Sequence, residues 1–214
     1  MKKLIVLLLG CISGVVAFTQ QSIGLKAGAA FSNPSHQPAI MPGSQTEFDS
    51  PKGRPLWGYS AGVFYKIKVA AHWRLSVEPG LLVAGRQERF LTEEQIINGD
   101  LGDHYCTRQV GYLEIPAYLQ YDLKRFYFSG GAGISLKVFS VMKGIENRRY
   151  NSPFYRTCDA GINTLAGYHL LQRMDVNLRY YHGLANIDKA GVSKTIRNRI
   201  GTLTLLYSLN TRRR

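Results

Sequence analysis

The chain has 214 residues, with 27 Lys and Arg against 14 Asp and Glu, and a formal net charge of +13. That length supports one domain with a substantial core, and no segment beyond the N-terminus offers the ~18 consecutive apolar residues of a membrane-spanning helix. So basic a chain would point to nucleic acid in the cytosol, but the N-terminus directs it elsewhere.

MKK followed by LIVLLLGCISGVVAF is a positive n-region, a short apolar h-region and small residues near a cut. Residues 1–19 therefore read as a secretory signal peptide and 20–214 as the mature domain. Cleavage fits after Ala17 or after Thr19. The apolar run, roughly 15 residues, is shorter than the ~20 that span a bilayer. Leu8-Leu9-Gly10-Cys11 also resembles a lipobox, although the apolar run continues past it to Phe18. Without Lys2 and Lys3 the charge falls from +13 to +11. For an exported chain the natural counter-charges are outer-membrane lipid headgroups and lipopolysaccharide phosphates rather than nucleic acid.

From residue 20 onward the chain alternates apolar and polar residues with period two, in runs separated by turn-forming or polar residues. Eight strands are predicted, at 21–32, 56–69, 74–90, 108–122, 126–142, 154–170, 174–187 and 195–209. The connectors at 70–73, 123–125 and 171–173 are short, whereas those at 33–55, 91–107, 143–153 and 188–194 are long and polar. Short turns at one end and long loops at the other are the layout of a transmembrane barrel. The fold class is all-β: a closed eight-stranded antiparallel transmembrane β-barrel with short periplasmic turns and longer extracellular loops.

The faces of the strands support the membrane form. In the fourth strand Leu113, Ile115, Ala117, Leu119 and Tyr121 oppose Tyr112, Glu114, Pro116, Tyr118 and Gln120. In the seventh, Val176, Leu178 and Tyr180 oppose Asp175, Asn177, Arg179 and Tyr181. A soluble apolar core could not hold Lys66, Glu78, Glu114, Lys137 and Arg179 together without heavy desolvation, whereas a narrow polar lumen can. Trp57, Trp73, Phe126, Tyr168 and Tyr207 lie near strand ends and fit interfacial girdles.

These five charged residues form the candidate site, a barrel-interior ion-pair cluster with Glu114 as its central acid. Hairpin arithmetic sets Lys66 opposite Glu78, Asn163 opposite Arg179, and Glu114 opposite Gly133 or Ser135, within reach of Arg179 or Lys137. Pro116 and Pro79 lack ladder donors, so a bulge is expected at each. Cys106 and Cys158 both fall at the long-loop end. They invite a disulfide, with two unpaired surface thiols as the alternative. Arg108, Arg148, Arg149, Arg156, Lys194 and Arg197 form a basic outer-loop surface, read either as a dock for lipopolysaccharide phosphate or a partner, or as a device for solubility.

YLEIPAYLQYDL, then FSGGAGISL, AGINTLAGYHL and NLRYYHGLANI, resemble the PorT-like outer-membrane β-barrel family. The resemblance implies an eight-stranded barrel in the outer membrane of a Gram-negative bacterium. Through the founding member it also implies an association with type IX protein secretion and gliding machinery. The tail, TLLYSLNTRRR, departs from the terminal aromatic on which such barrels often end when they engage the barrel-assembly machinery.

No nucleophile-base spacing of an acyl hydrolase or zinc-protease type occurs. Asp100, Asp103, His104 and Cys106 have ligand chemistry in one loop but no second cluster beside them. The functional expectation is a monomeric, non-enzymatic, cofactor-free barrel that is structural or associated with secretion-apparatus proteins. The alternatives are a surface adhesion or resistance barrel acting through its loops, a lipid-modifying enzyme, or a small-solute pore.

Overall fold

The computed structural model describes residues 21–32, 35–36, 54–89, 105–143, 149–151, 157–186 and 196–210. The signal-peptide reading, the loop cluster at Asp100, Asp103 and His104, and the basic residues Arg148, Arg156 and Lys194 lie outside them.

Twelve strands are described: β1 (Gln21–Ser32), β2 (Ser35–His36), β3 (Arg54–Lys68), β4 (Trp73–Val77), β5 (Gly80–Arg89), β6 (Tyr105–Leu123), β7 (Phe126–Lys143), β8 (Arg149–Asn151), β9 (Cys158–His169), β10 (Met174–Gly183), β11 (Ile196–Arg197) and β12 (Arg199–Ser208). β4 and β5 lie end to end as one stave between β3 and β6, and the antiparallel order continues through β7, β9, β10 and β12 to β1, which returns to β3. The sheet thus closes as a barrel of eight staves. β8 extends the wall beside β7 where β9 ends, and β2 pairs with β11 as a separate ribbon.

Alternation dictates what each face carries. In β9, Cys158, Ala160, Ile162, Thr164 and Ala166 are exposed, while Asp159, Gly161, Asn163, Leu165 and Gly167 are buried. The outer wall is predominantly aliphatic and aromatic, with Leu178, Leu203, Leu25 and Ile134 each more than half exposed. Such a belt of hydrocarbon has only lipid as its solvent. Aromatic pairs edge the belt: Phe31 meets Trp57 edge to face at 5.3 Å on the loop side, and Trp73 with Tyr121 (4.9 Å) and Phe126 with Tyr168 (5.0 Å) lie on the short-turn side.

The interior is less uniformly polar than alternation alone implies. Towards the loops Ala30, Leu82, Ala84, Val110, Tyr112, Tyr181 and Ile200 pack into an apolar cap, and towards the short turns Tyr118, Tyr127 and Leu165 form a second cluster. Most of the buried charged residues lie between and below these clusters, with Asp159 on the loop side.

The two prolines depart from the expectation of a bulge at each. β6 and β7 do shift register, but between Gly111 and Tyr112, and Pro116 pairs regularly with Gly133. At Pro79 the predicted strand 74–90 breaks into β4 and β5, yet the register against β6 is the same on both sides, with Val77 opposite Ala117 and Gly80 opposite Glu114. Glu78 therefore faces Pro116. The Glu78 N–H donates to the Pro116 carbonyl at 3.0 Å, and the reciprocal bond cannot form because proline has no N–H. The Glu78 carbonyl is left to find another donor.

Candidate functional site in the barrel lumen

That donor is Lys26, whose Nζ donates to the Glu78 carbonyl oxygen at 2.8 Å. Lys26 extends inward from β1 past Gly62 and Gly80, which leave room for its side chain. Its ammonium stands 3.7 Å from Glu78 Oε2 and 3.4 Å from Glu114 Oε1. From the other side of the lumen, Arg179 holds Glu114 in a bidentate fork, with Nη1 to Oε1 and Nη2 to Oε2 both at 2.9 Å, and its Nε donates to Thr202 Oγ1 at 3.1 Å. All four charged side chains are about one-twentieth exposed or less. Two cations and two carboxylates balance one another here, and the fork geometry satisfies the guanidinium and the carboxylate together.

Lys66 does not pair with Glu78. A first turn closed between Val69 and Trp73 brings Lys66 opposite Ser76, two residues away from the expected partner. Lys66 Nζ instead stands 3.7 Å from Asp175 Oδ2 and lies over the rings of Tyr127 (4.9 Å) and Phe64 (5.3 Å). A similar displacement at the third turn sets Arg179 opposite Leu165, and Asn163 opposite Tyr181. Lys137 is half-buried beside Tyr112, two residues along β7 from Ser135, which faces Glu114. Both Glu114 oxygens go to Arg179 and Lys26 rather than to Lys137. Sequence reasoning missed Lys26, although its inward parity in an alternating β1 was readable. It also left Asp175, visibly on the inner face, out of the cluster.

Below this cluster, at the short-turn mouth, a second polar chain runs from the lumen to the rim. Asp175 Oδ1 is 2.9 Å from His169 Nδ1, and His169 Nε2 is 3.8 Å from Asp122 Oδ1. Asp122 also accepts from Arg74 Nε at 2.7 Å and Gln120 Nε2 at 2.6 Å. The His169 ring stacks on Tyr127 at 4.9 Å. Above the cluster, Asn198 Nδ2 donates to Asp159 Oδ2 at 2.8 Å and to Tyr112 Oη at 3.3 Å, over the apolar cap.

The Cys106–Cys158 bridge is absent. Cys158 is a free thiol on the outward face. It pairs with Leu136 of β7, whereas Cys106 lies one step beyond Thr107, which pairs with Lys143. Seven residues of β7 separate those levels, on the order of 20 Å at ~3.3 Å per residue, far beyond the roughly 4.4–6.8 Å between Cα atoms that a disulfide spans. Of the basic outer-loop residues, Arg108 pairs with Arg86 and Met142, Arg149 with Lys143, and exposed Arg197 with Ser35, all at the long-loop end. Among the described residues no group of three or more His, Cys, Asp or Glu is placed to hold a metal ion.

A search of curated proteins gave no match. Among solved structures, Neisserial surface protein A is similar at 15% identity and a TM-score of 0.51, over 89% of this chain and 99% of that one. Ail of Yersinia pestis, solved in complex with the heparin analogue sucrose octasulfate, gives 10% identity and a TM-score of 0.46 over 89% and 99% of the two chains. OprG of Pseudomonas aeruginosa gives 13% and 0.45 over 90% and 98%. At such identities the first likeness speaks for the barrel fold alone. The family model described as "Outer membrane protein beta-barrel domain" matches residues 18–189. With its lipid-facing belt and closed ring of staves, the chain belongs to this family of Gram-negative outer-membrane proteins.

Proposed function

We propose that this barrel neither conducts solutes nor catalyses a reaction, and that it serves the envelope as a structural member associated with secretion-apparatus proteins. Its work would be done by the surfaces at its two ends. The observation that carries this reading is Glu114: a carboxylate at the centre of the lumen, 4% exposed and held from both sides by Arg179 and Lys26. An eight-stranded barrel encloses only enough space for side chains to fill, and here the apolar cap, the charged cluster and the Tyr118–Tyr127–Leu165 cluster occupy it in succession. The PorT-like strand sequences support the secretion association.

Two measurements test the proposal. Purified full-length protein in planar bilayers should show no conductance steps above the lipid background; steady steps would overturn the sealed lumen. Deletion of the gene should retain secreted proteins in the periplasm and leave the lipid A profile unchanged. Intact secretion with lost surface attachment would replace the secretion role with an adhesive one.

A further inference from the structure

The short-turn rim carries a charge pattern that the lumen does not explain. Lys124 and Arg125 form the turn between β6 and β7, and Arg173 lies in the turn between β9 and β10. All three are exposed. Among the described residues no carboxylate pairs with any of them; Arg125 Nη1 donates to Tyr168 Oη at 3.4 Å. The nearby acids, Asp122 and Asp175, are turned inward and bound by Arg74, Gln120, His169 and Lys66. Among the described residues, the exposed charges of the second and third short turns on this rim are therefore all cationic.

Two further observations bear on what it meets. Exposed apolar residues flank the cations within the same turns: Leu123 and Phe126 around Lys124-Arg125, and Leu170 and Leu171 before Arg173. Lys124 also occupies a left-handed backbone conformation, φ 52°, where glycine or asparagine is the sterically easy choice. The turns are tied to neighbouring staves through backbone bonds, with His169 N–H to the Arg125 carbonyl and Ser208 N–H to the Arg173 carbonyl, both at 2.8 Å. Cations and hydrocarbon are thus held together within the same turns.

We infer that this rim is a binding surface for anionic phospholipid of the periplasmic leaflet, with Lys124, Arg125 and Arg173 taking the headgroup phosphates and the flanking leucines and Phe126 the adjoining acyl chains. A patch of this kind attracts anionic lipid through electrostatics that act within about a Debye length of the surface.

The two tryptophans make the test direct, since Trp73 lies beside the short-turn rim and Trp57 on the loop side. Full-length protein with Trp57→Phe would be folded into vesicles, and quenching of Trp73 by brominated phosphatidylglycerol compared with brominated phosphatidylcholine. We expect phosphatidylglycerol to associate roughly fivefold more strongly at this rim. The preference should fall towards parity in about 0.5 M NaCl and in the triple variant Lys124→Asn, Arg125→Gln, Arg173→Gln. In a Trp73→Phe background the reading from Trp57 should not respond to the triple substitution. Equal quenching by the two lipids in the parent protein overturns the inference and would leave an acidic polypeptide as the rim's occupant. So does a preference that survives the substitutions. Should the triple variant fail to fold, the salt titration and the single Arg173→Gln variant decide the matter.

Discussion

At the scale of single residues, Pro116 removes a hydrogen and thereby positions a charge. Its missing N–H leaves the Glu78 carbonyl open, and Lys26 takes that place between two carboxylates. Pro116→Ala should restore the ladder bond to Glu78 with a stability change within about 1.5 kcal/mol; hydrogen exchange should then show a protected amide at 116, and a freely exchanging one would refute this account. Glu114→Gln should cost far more, about 3–5 kcal/mol, because Arg179 and Lys26 would face a neutral amide while both remain buried. Denaturant unfolding followed by tryptophan fluorescence measures it. Adding Arg179→Met to Glu114→Gln should return part of that loss, whereas additive losses would mean that the two side chains do not act as a pair. Sequence carried the identities of these residues and their side of the wall. It did not carry their partners, because a turn placed one residue away moves every cross-strand pair by two while leaving its face unchanged.

At the scale of strands, three aromatic rings lie over the glycine directly across from them: Phe64 over Gly24, Tyr127 over Gly167 and Phe139 over Gly111. A β-carbon at any of these glycines would collide with the facing ring. Each pair fixes the register of two staves, since a slip of even one step would set the ring against a side chain. Gly167→Val should therefore destabilise the barrel by roughly 1–3 kcal/mol or more, and Tyr127→Ala in the same chain should relieve part of the clash, read as a recovered unfolding midpoint. The period-two alternation of β3, β6, β7 and β10 was plain in the sequence because each stave separates lipid from lumen. The division of one predicted strand into β4 and β5, and the bulge between Gly111 and Tyr112, depend on contacts across the sheet and leave little local trace.

For the molecule as a whole, the folded barrel should migrate faster unheated than boiled on a semi-native gel, and reductant should not alter that shift because Cys158 is a free thiol. A reductant-dependent band would contradict the distance between the two cysteine levels on β7. The membrane class was legible from the outer belt, while the layered interior, with apolar clusters alternating with charged groups, emerged only once eight inward faces met. The origins of those charges matter for assembly. Lys26 comes from β1, Glu78 from the break between β4 and β5, Glu114 from β6 and Arg179 from β10, so no single hairpin is electrically self-sufficient. A partly built sheet entering the bilayer would carry unpaired ions into hydrocarbon, because Arg179 of β10 reaches Glu114 of β6 across the lumen and meets it only once the sheet has curled. Curling of the sheet and pairing of its inner charges are thereby linked, and an open sheet leaves Glu114 without its strongest partner.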